Sequence, residues 1–263
     1  MTATTIIEAR ELTRRFGGLV AVENYSLDLF AGDLTGLIGP NGAGKTTAFN
    51  LLTGVAKPNG GRITVAGEDL TGRPPHVLAR KGLARTFQNI RLFDDLSVLE
   101  NIMCGAHMRL GAPLFATLLQ LPAFRRAERS IAARAREIVA LTGLEHLSRR
   151  RAGDLSYGDQ RRVEIARALA GEPKALLLDE PAAGLNPAET ETLVGMIRSL
   201  NEELRVAVLV VEHDMRLVMN LCRRIQVLNR GRLIAEGGPA EVQNHPAVID
   251  AYLGTRRSRP QHA

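Results

Sequence analysis

Tryptophan is absent from this sequence, tyrosine occurs three times, and aromatic residues make up only 4% of it. So few rings cannot furnish the succession of stacking platforms on which single-stranded nucleic acid is held. Cysteine is equally scarce. Cys104 and Cys222 stand far apart in no C-x-x-C pattern, which argues against a disulfide framework and a thiolate zinc site and favours a reducing compartment. The longest uncharged stretch, residues 110–124, is broken by Pro113, Gln120 and Pro122. It falls short of the ~20 apolar residues a membrane-spanning helix needs. The first residues lack the basic and apolar regions of an export signal, so no leader is expected. Fixed-period repeats and low-complexity tracts are also missing.

What is present is an ordinary globular composition. The 263 residues, 45% apolar and 24% charged, suffice for one α/β domain carrying inserts and lie well away from disorder. Lys and Arg number 34 against 28 Asp and Glu, a surplus of +6. A basic balance attracts phosphates, nucleic acid or an anionic membrane face, and does not by itself choose among them.

Along the chain, residues 6–29 read as strands of an antiparallel layer, with Tyr25, Leu27 and Leu29 alternating and Gly17-Gly18 supplying a turn. The apolar run 34–38 predicts a strand, 39–44 a glycine-rich loop, and 45 onward a helix ending at Gly54. A further short strand is expected at 62–67, and Pro74-Pro75 punctuates the following loop. From 92 to 147 the periodicity is helical, with Phe124, Ala127, Ile131, Ile138 and Leu141 spaced as one helix face. A second helix opens at Ser156 and stops at Gly171 and Pro173. Residues 175–178 and 206–211 are too uniformly apolar to alternate, as strands buried on both faces of a parallel sheet should be, and a helix at 187–204 lies between them. A hairpin around Asn229-Arg-Gly231, a short helix and a polar tail from Thr255 complete the chain.

Gly39-Pro40-Asn41-Gly42-Ala43-Gly44-Lys45-Thr46, followed by Thr47, fits the P-loop pattern G-x-x-x-x-G-K-[ST]. Its glycines let successive backbone N–H groups turn toward phosphate oxygens, and the next helix adds its positive end. Lys45 is expected on the β- and γ-phosphates and Thr46 on Mg²⁺. Asp179, closing the apolar run 175–178, is the second metal-side carboxylate. Glu180 beside it is free to orient and deprotonate the attacking water. The constellation implies ATP or a related nucleotide with Mg²⁺.

The segment Leu155-Ser156-Tyr157-Gly158-Asp159-Gln160 resembles the signature of ATP-binding cassette (ABC) proteins, which begins Leu-Ser-Gly-Gly-Gln. By its own chemistry Ser156 is a helix N-cap with Asp159 three residues on. The resemblance extends in order along nearly the whole chain. It implies that Phe16 stacks on adenine, that Gln88 in Thr86-Phe-Gln88 touches Mg²⁺ and the water, that 183–187 is the D-loop, and that His213 contacts the γ-phosphate. It also implies that Ser156 and Gly158 serve the nucleotide of a second cassette. Further matches at 87–93, 99–102, 180–187 and 240–254 resemble the ATP-binding subunit of branched-chain amino-acid importers.

The implied fold is a P-loop NTPase cassette of the α/β class. It has a RecA-like, mostly parallel core sheet with an N-terminal antiparallel β layer (6–90 and 163–238), an inserted helical subdomain (about 91–162), a family extension (239–254) and a polar tail (255–263). The implied catalytic set is Lys45, Gln88, Glu180 and His213, with Thr46, Gln88 and Asp179 on the metal. Implied partners are a second cassette, related or identical, two membrane permeases and, indirectly, an extracytoplasmic binding protein. Nucleic acid is not expected, and the place is the cytoplasmic face of a bacterial inner membrane. Two other readings use the same motifs: a cassette exporting lipid or lipopolysaccharide, and a soluble ABC ATPase acting on nucleic acid. One P-loop and no long heptad run weigh against tandem and coiled-coil forms of the latter. The signature departs from the general pattern at Tyr157 and Asp159, and the acid places a negative charge where a partner's ATP would dock.

Overall fold

The computed structural model describes residues 4–110 and 122–257. Most of the uncharged stretch at 110–124, and the tail beyond 257 with Arg259, lie outside the described residues. Strands β1 (Thr5–Phe16) and β2 (Leu19–Phe30) form a long antiparallel hairpin. β3 (Leu34–Ile38) passes to a second sheet and leads through the glycine loop into α1 (Lys45–Leu52). β4 (Gly60–Val65) and β5 (Glu68–Asp69) return to the first sheet, whose order is β2-β1-β4-β5. Helix α2 (Pro75–Arg80) and β6 (Leu83–Arg85) precede the helical insert, α3 (Val98–Leu110) and α4 (Pro122–Leu141). Then come α5 (Tyr157–Ala170), β7 (Ala175–Asp179), α6 (Pro187–Leu204), β8 (Ala207–Val211) and α7 (Met215–Leu221). The hairpin β9 (Arg224–Asn229) and β10 (Arg232–Gly237) and the helices α8 (Pro239–Gln243) and α9 (Pro246–Arg257) end the chain. The second sheet has the order β10-β9-β3-β8-β7-β6 and is parallel except at β10.

β3, β7 and β8 are buried at all five positions, and their period-2 alternation divides them between two cores. Leu34, Ile38, Leu176, Leu178, Val208 and Val210 join α5 to α7 and the insert. Leu37, Ala175, Leu177, Ala207 and Leu209 join α1 and the antiparallel sheet. Phe49, Leu51 and Leu52 of α1 are fully buried there, each contributing roughly 1.5–3 kcal/mol. This burial fixes the helix whose N-terminus faces the P-loop.

Some expectations need correction. Pro74-Pro75 does not simply punctuate a loop: Pro75 begins α2, because its fixed φ suits the first helical position. The short helix after the last hairpin is two helices, and α9 includes residues 255–257, where a polar tail was expected. On α4 the buried positions are Ile131, Ala135, Ile138 and Val139, while Phe124, Ala127 and Leu141 are only half-buried. α5 runs unbroken through residue 162, joining signature to core as one rod.

Because β3, β8, β7 and β6 are parallel neighbours in that order, the segments after them leave the sheet side by side. The P-loop, Glu212-His213, Asp179-Glu180 and Gln88 are thereby gathered at one carboxyl edge, where open α/β sheets bind ligands.

Candidate active site

The glycine loop owes its course to close packing. A Cβ on Gly39 would lie 2.1 Å from the Leu228 carbonyl oxygen, and one on Gly44, at φ 101°, would lie 2.5 Å from that of Ala21. Only glycine fits either position. Gly44 begins α1 with no side-chain cap and no acid in the first turn, so the helix end presents free N–H donors and a positive dipole to an anion. The mostly buried Lys45 donates from Nζ to the carbonyls of Gly39 (2.7 Å) and Pro40 (3.1 Å) across the loop. Burial lowers its pKa, against the opposing pull of Glu180 and Glu212.

Asn41, Gly42, Ala43, Gly44, Lys45, Thr46 and Thr47 line a cavity of about 730 Å³ together with Phe16 and Glu180. That volume suits a nucleotide-sized ligand. Phe16, half-exposed at the end of β1, carries the Arg14 guanidinium 4.6 Å from its ring centroid, leaving a polarised aromatic surface at the cavity mouth.

Glu180 is the meeting point. Its backbone stands at φ 45°, an uncommon conformation for a residue with a side chain. Gln88 Nε2 donates to its Oε2 at 3.3 Å, and His213 Nδ1 lies 3.8 Å from its Oε1. Gln88, Glu180 and His213, 125 residues apart in sequence from first to last, thus share one carboxylate. Asp179, buried at the end of β7, receives the Thr86 hydroxyl oxygen as acceptor for its backbone N–H at 3.3 Å. Burial pushes its carboxyl above the usual range, Arg85 opposes this and Glu180 reinforces it.

Ser156 and Gly158 do not line this cavity. They sit at the start of α5, where the Ser156 hydroxyl accepts from the Asp159 N–H at 3.2 Å and donates to Asp159 Oδ2 at 3.0 Å. Arg162 Nη1 holds the other Asp159 oxygen at 3.1 Å. The acid of the signature is therefore neutralised within its own helix.

Two residues escape the sequence reading. Glu212, almost fully buried, accepts from the Ala182 N–H (3.0 Å) and the His213 N–H (3.2 Å), fixing the backbone on both sides of the site. Burial raises its pKa, and those two N–H donors resist the rise. Its signal was an acid closing an all-apolar strand, the same signal that marks Asp179. Arg85 donates to Thr53 Oγ1 at 2.8 Å and lies over the rings of Phe49 and Phe87. No motif advertises it.

The family model described as "ABC transporter" matches residues 22–183, and that described as "Branched-chain amino acid ATP-binding cassette transporter" matches residues 232–257. The chain is 47% identical over 249 residues to the high-affinity branched-chain amino acid transport ATP-binding proteins BraF of Pseudomonas aeruginosa and LivG of Escherichia coli K12. In each case 95% of this chain and 98% of the relative are covered. Among solved structures, the ADP conformation of an ATP-binding cassette of an ABC transporter superposes with a TM-score of 0.82 at 32% identity, covering 95% of this chain and 99% of that one.

Proposed function

Because the chain belongs to the ABC transporter family, in its branched-chain amino acid ATP-binding cassette group, we propose that it hydrolyses ATP to drive uptake of branched-chain or related amino acids through partner permeases. The observation that carries the catalytic part is the convergence of Gln88 and His213 on the Glu180 carboxylate, at the wall of the cavity that holds the P-loop. The match at 232–257 favours import over lipid export, the other reading of the same motifs.

The phosphates of ATP fit the uncapped end of α1, with Lys45 on the β- and γ-groups and Phe16 against the base. Glu180, steered from both sides by Gln88 and His213, takes a proton from a water that attacks the γ-phosphorus. The bond from that phosphorus to the bridging oxygen breaks, releasing ADP and phosphate. His213, 57% exposed in its side chain, is free to reach the γ-phosphate. The Thr46 hydroxyl, the Asp179 carboxylate and the Gln88 amide oxygen form a hard-oxygen donor set. Such donors suit Mg²⁺, an ion held by few carboxylates plus substrate phosphates. When bound it neutralises charge on the β- and γ-phosphates.

Ser156 and Gly158, outside the cavity of their own chain, are assigned to the ATP of a second cassette, identical or related. Permeases are assigned to a groove of about 630 Å³ whose lining includes Phe87 and Phe93, adjoining Gln88. An extracytoplasmic binding protein would deliver the amino acid. No helix among the described residues is long and apolar enough to cross a membrane; peripheral association with the cytoplasmic membrane face is assigned on the strength of the permease partners.

Two variants test the reading. Glu180→Gln is expected to abolish turnover while keeping ATP-bound dimers, measured by phosphate release and by light scattering after gel filtration. Normal turnover would remove Glu180 as the base. Lys45→Ala is expected to lose nucleotide binding, and retained binding counts against the P-loop assignment.

A further inference from the structure

Within α5 lies a buried ion pair that the steps above leave unused. Arg161, with no exposed surface, donates from Nη1 to Glu164 Oε2 (2.6 Å) and to the Phe87 carbonyl (2.8 Å), and from Nη2 to the Gln88 carbonyl (2.8 Å). Glu164 Oε1 accepts from the Phe87 N–H at 3.4 Å. The two charges hold three backbone groups of consecutive residues, and the second of those residues carries the Gln88 amide. Nη2 also reaches the Tyr157 hydroxyl at 3.4 Å, one residue from Ser156.

Stability does not explain this arrangement. A pair so fully desolvated gives back most of its Coulombic gain, and apolar residues of similar size commonly do as well. The buried Arg161 Nε makes no hydrogen bond, which adds a further cost. What a guanidinium fork provides, and an apolar contact does not, is direction: two carbonyls fixed relative to one helix. That helix is 14 residues of unbroken rod, with the signature at one end and the fork one turn along it.

We propose that Arg161, oriented by Glu164, is a positioning residue that couples the two nucleotide sites of a cassette dimer, carrying the seating of Ser156 on the partner's ATP to Gln88 beside this chain's own. It rests on the roles given above to Gln88 and Ser156. Any shift of the start of α5 displaces the Phe87 and Gln88 carbonyls with it, and so moves the amide that steers Glu180. Coupling through such a unit is reciprocal.

The test is a double-mutant cycle on the full-length chain. Steady-state ATPase is measured for the wild type, Gln88→Ala, the paired swap Arg161→Met with Glu164→Leu, and all three changes together; affinity comes from titration with a fluorescent ATP analogue. The swap is expected to lower kcat about 10- to 100-fold, to leave nucleotide affinity unchanged and to flatten a sigmoidal ATP dependence. In the Gln88→Ala background it is expected to cost less than about twofold. Equal losses in both backgrounds, or wild-type kcat and cooperativity in the folded swap, overturn the proposal. Gln88→Ala with wild-type kcat instead overturns the active-site reading, and the proposal with it. Should the swap not fold, Arg161→Lys keeps the charge beside Glu164 but lacks the two-carbonyl fork, and the same pattern is expected of it.

Discussion

Glu180 joins a demanding backbone to a demanding role. Its φ of 45° costs of order 1–3 kcal/mol in the absence of compensation, and the Val211 carbonyl accepts its N–H at 2.9 Å, holding the turn in place. Asp159 is the residue whose consequence the structure alters most. On sequence grounds its charge opposes a partner's ATP; in the fold Arg162 and the Ser156 hydroxyl hold both its oxygens. Asp159→Gln is therefore expected to lower the ATP Michaelis constant and lengthen the ATP-bound dimer's lifetime by no more than a factor of a few, on the scale of ~0.3–1 kcal/mol for a charge at a helix end. An unchanged constant and lifetime would show the acid to be inert. The P-loop, Asp179 and Glu180 were legible because phosphate and metal chemistry restricts residue type at fixed spacing. Arg161 and Glu212 were not, because their importance lies in burial and in backbone partners from distant segments.

The secondary-structure elements were read most easily where periodicity is strong. Alternation in β2 and continuous apolar runs in β7 and β8 gave strands at the right places, and the split of each run between two cores explains why no alternation showed. α2 was missed because it buries only Leu78, too little to leave a pattern, and the short helix expected after the last hairpin is two helices, of which α8 buries only Val242. Between the sheets, the Tyr25 hydroxyl donates to Gln226 Oε1 at 2.7 Å, while Gln226 Nε2 donates to the Ser26 carbonyl and to Glu236. This fully buried link joins β2 to β9, and burial raises the Tyr25 pKa far above its ordinary value. Tyr25→Phe leaves the Gln226 oxygen without that donor, and a loss of about 1–3 kcal/mol is expected, read as a Tm lowered by about 2–4 °C per kcal/mol. An unchanged Tm would mean that water replaces the hydroxyl there.

At the scale of the whole molecule, the charge surplus of +6 has a partial location. Arg125, Arg126, Arg129 and Arg136 are exposed on α4, whereas Arg134 pairs with Glu137 at 2.8 Å and Arg151 with Asp95 at 2.7 Å. The exposed arginines of α4 form a solvated face. The signature start lies outside the chain's own cavity, which supports the proposal, already implied by the signature resemblance, that the molecule is half of a catalytic unit. ATP-driven uptake of labelled leucine tests the central claim most directly. Vesicles would hold a complex of this chain with its permeases and binding protein, with wild type compared against Glu180→Gln. Uptake with the wild type and none with the variant is predicted; undiminished uptake with Glu180→Gln, or ATP hydrolysis by the wild-type complex with no amino acid imported, would contradict it.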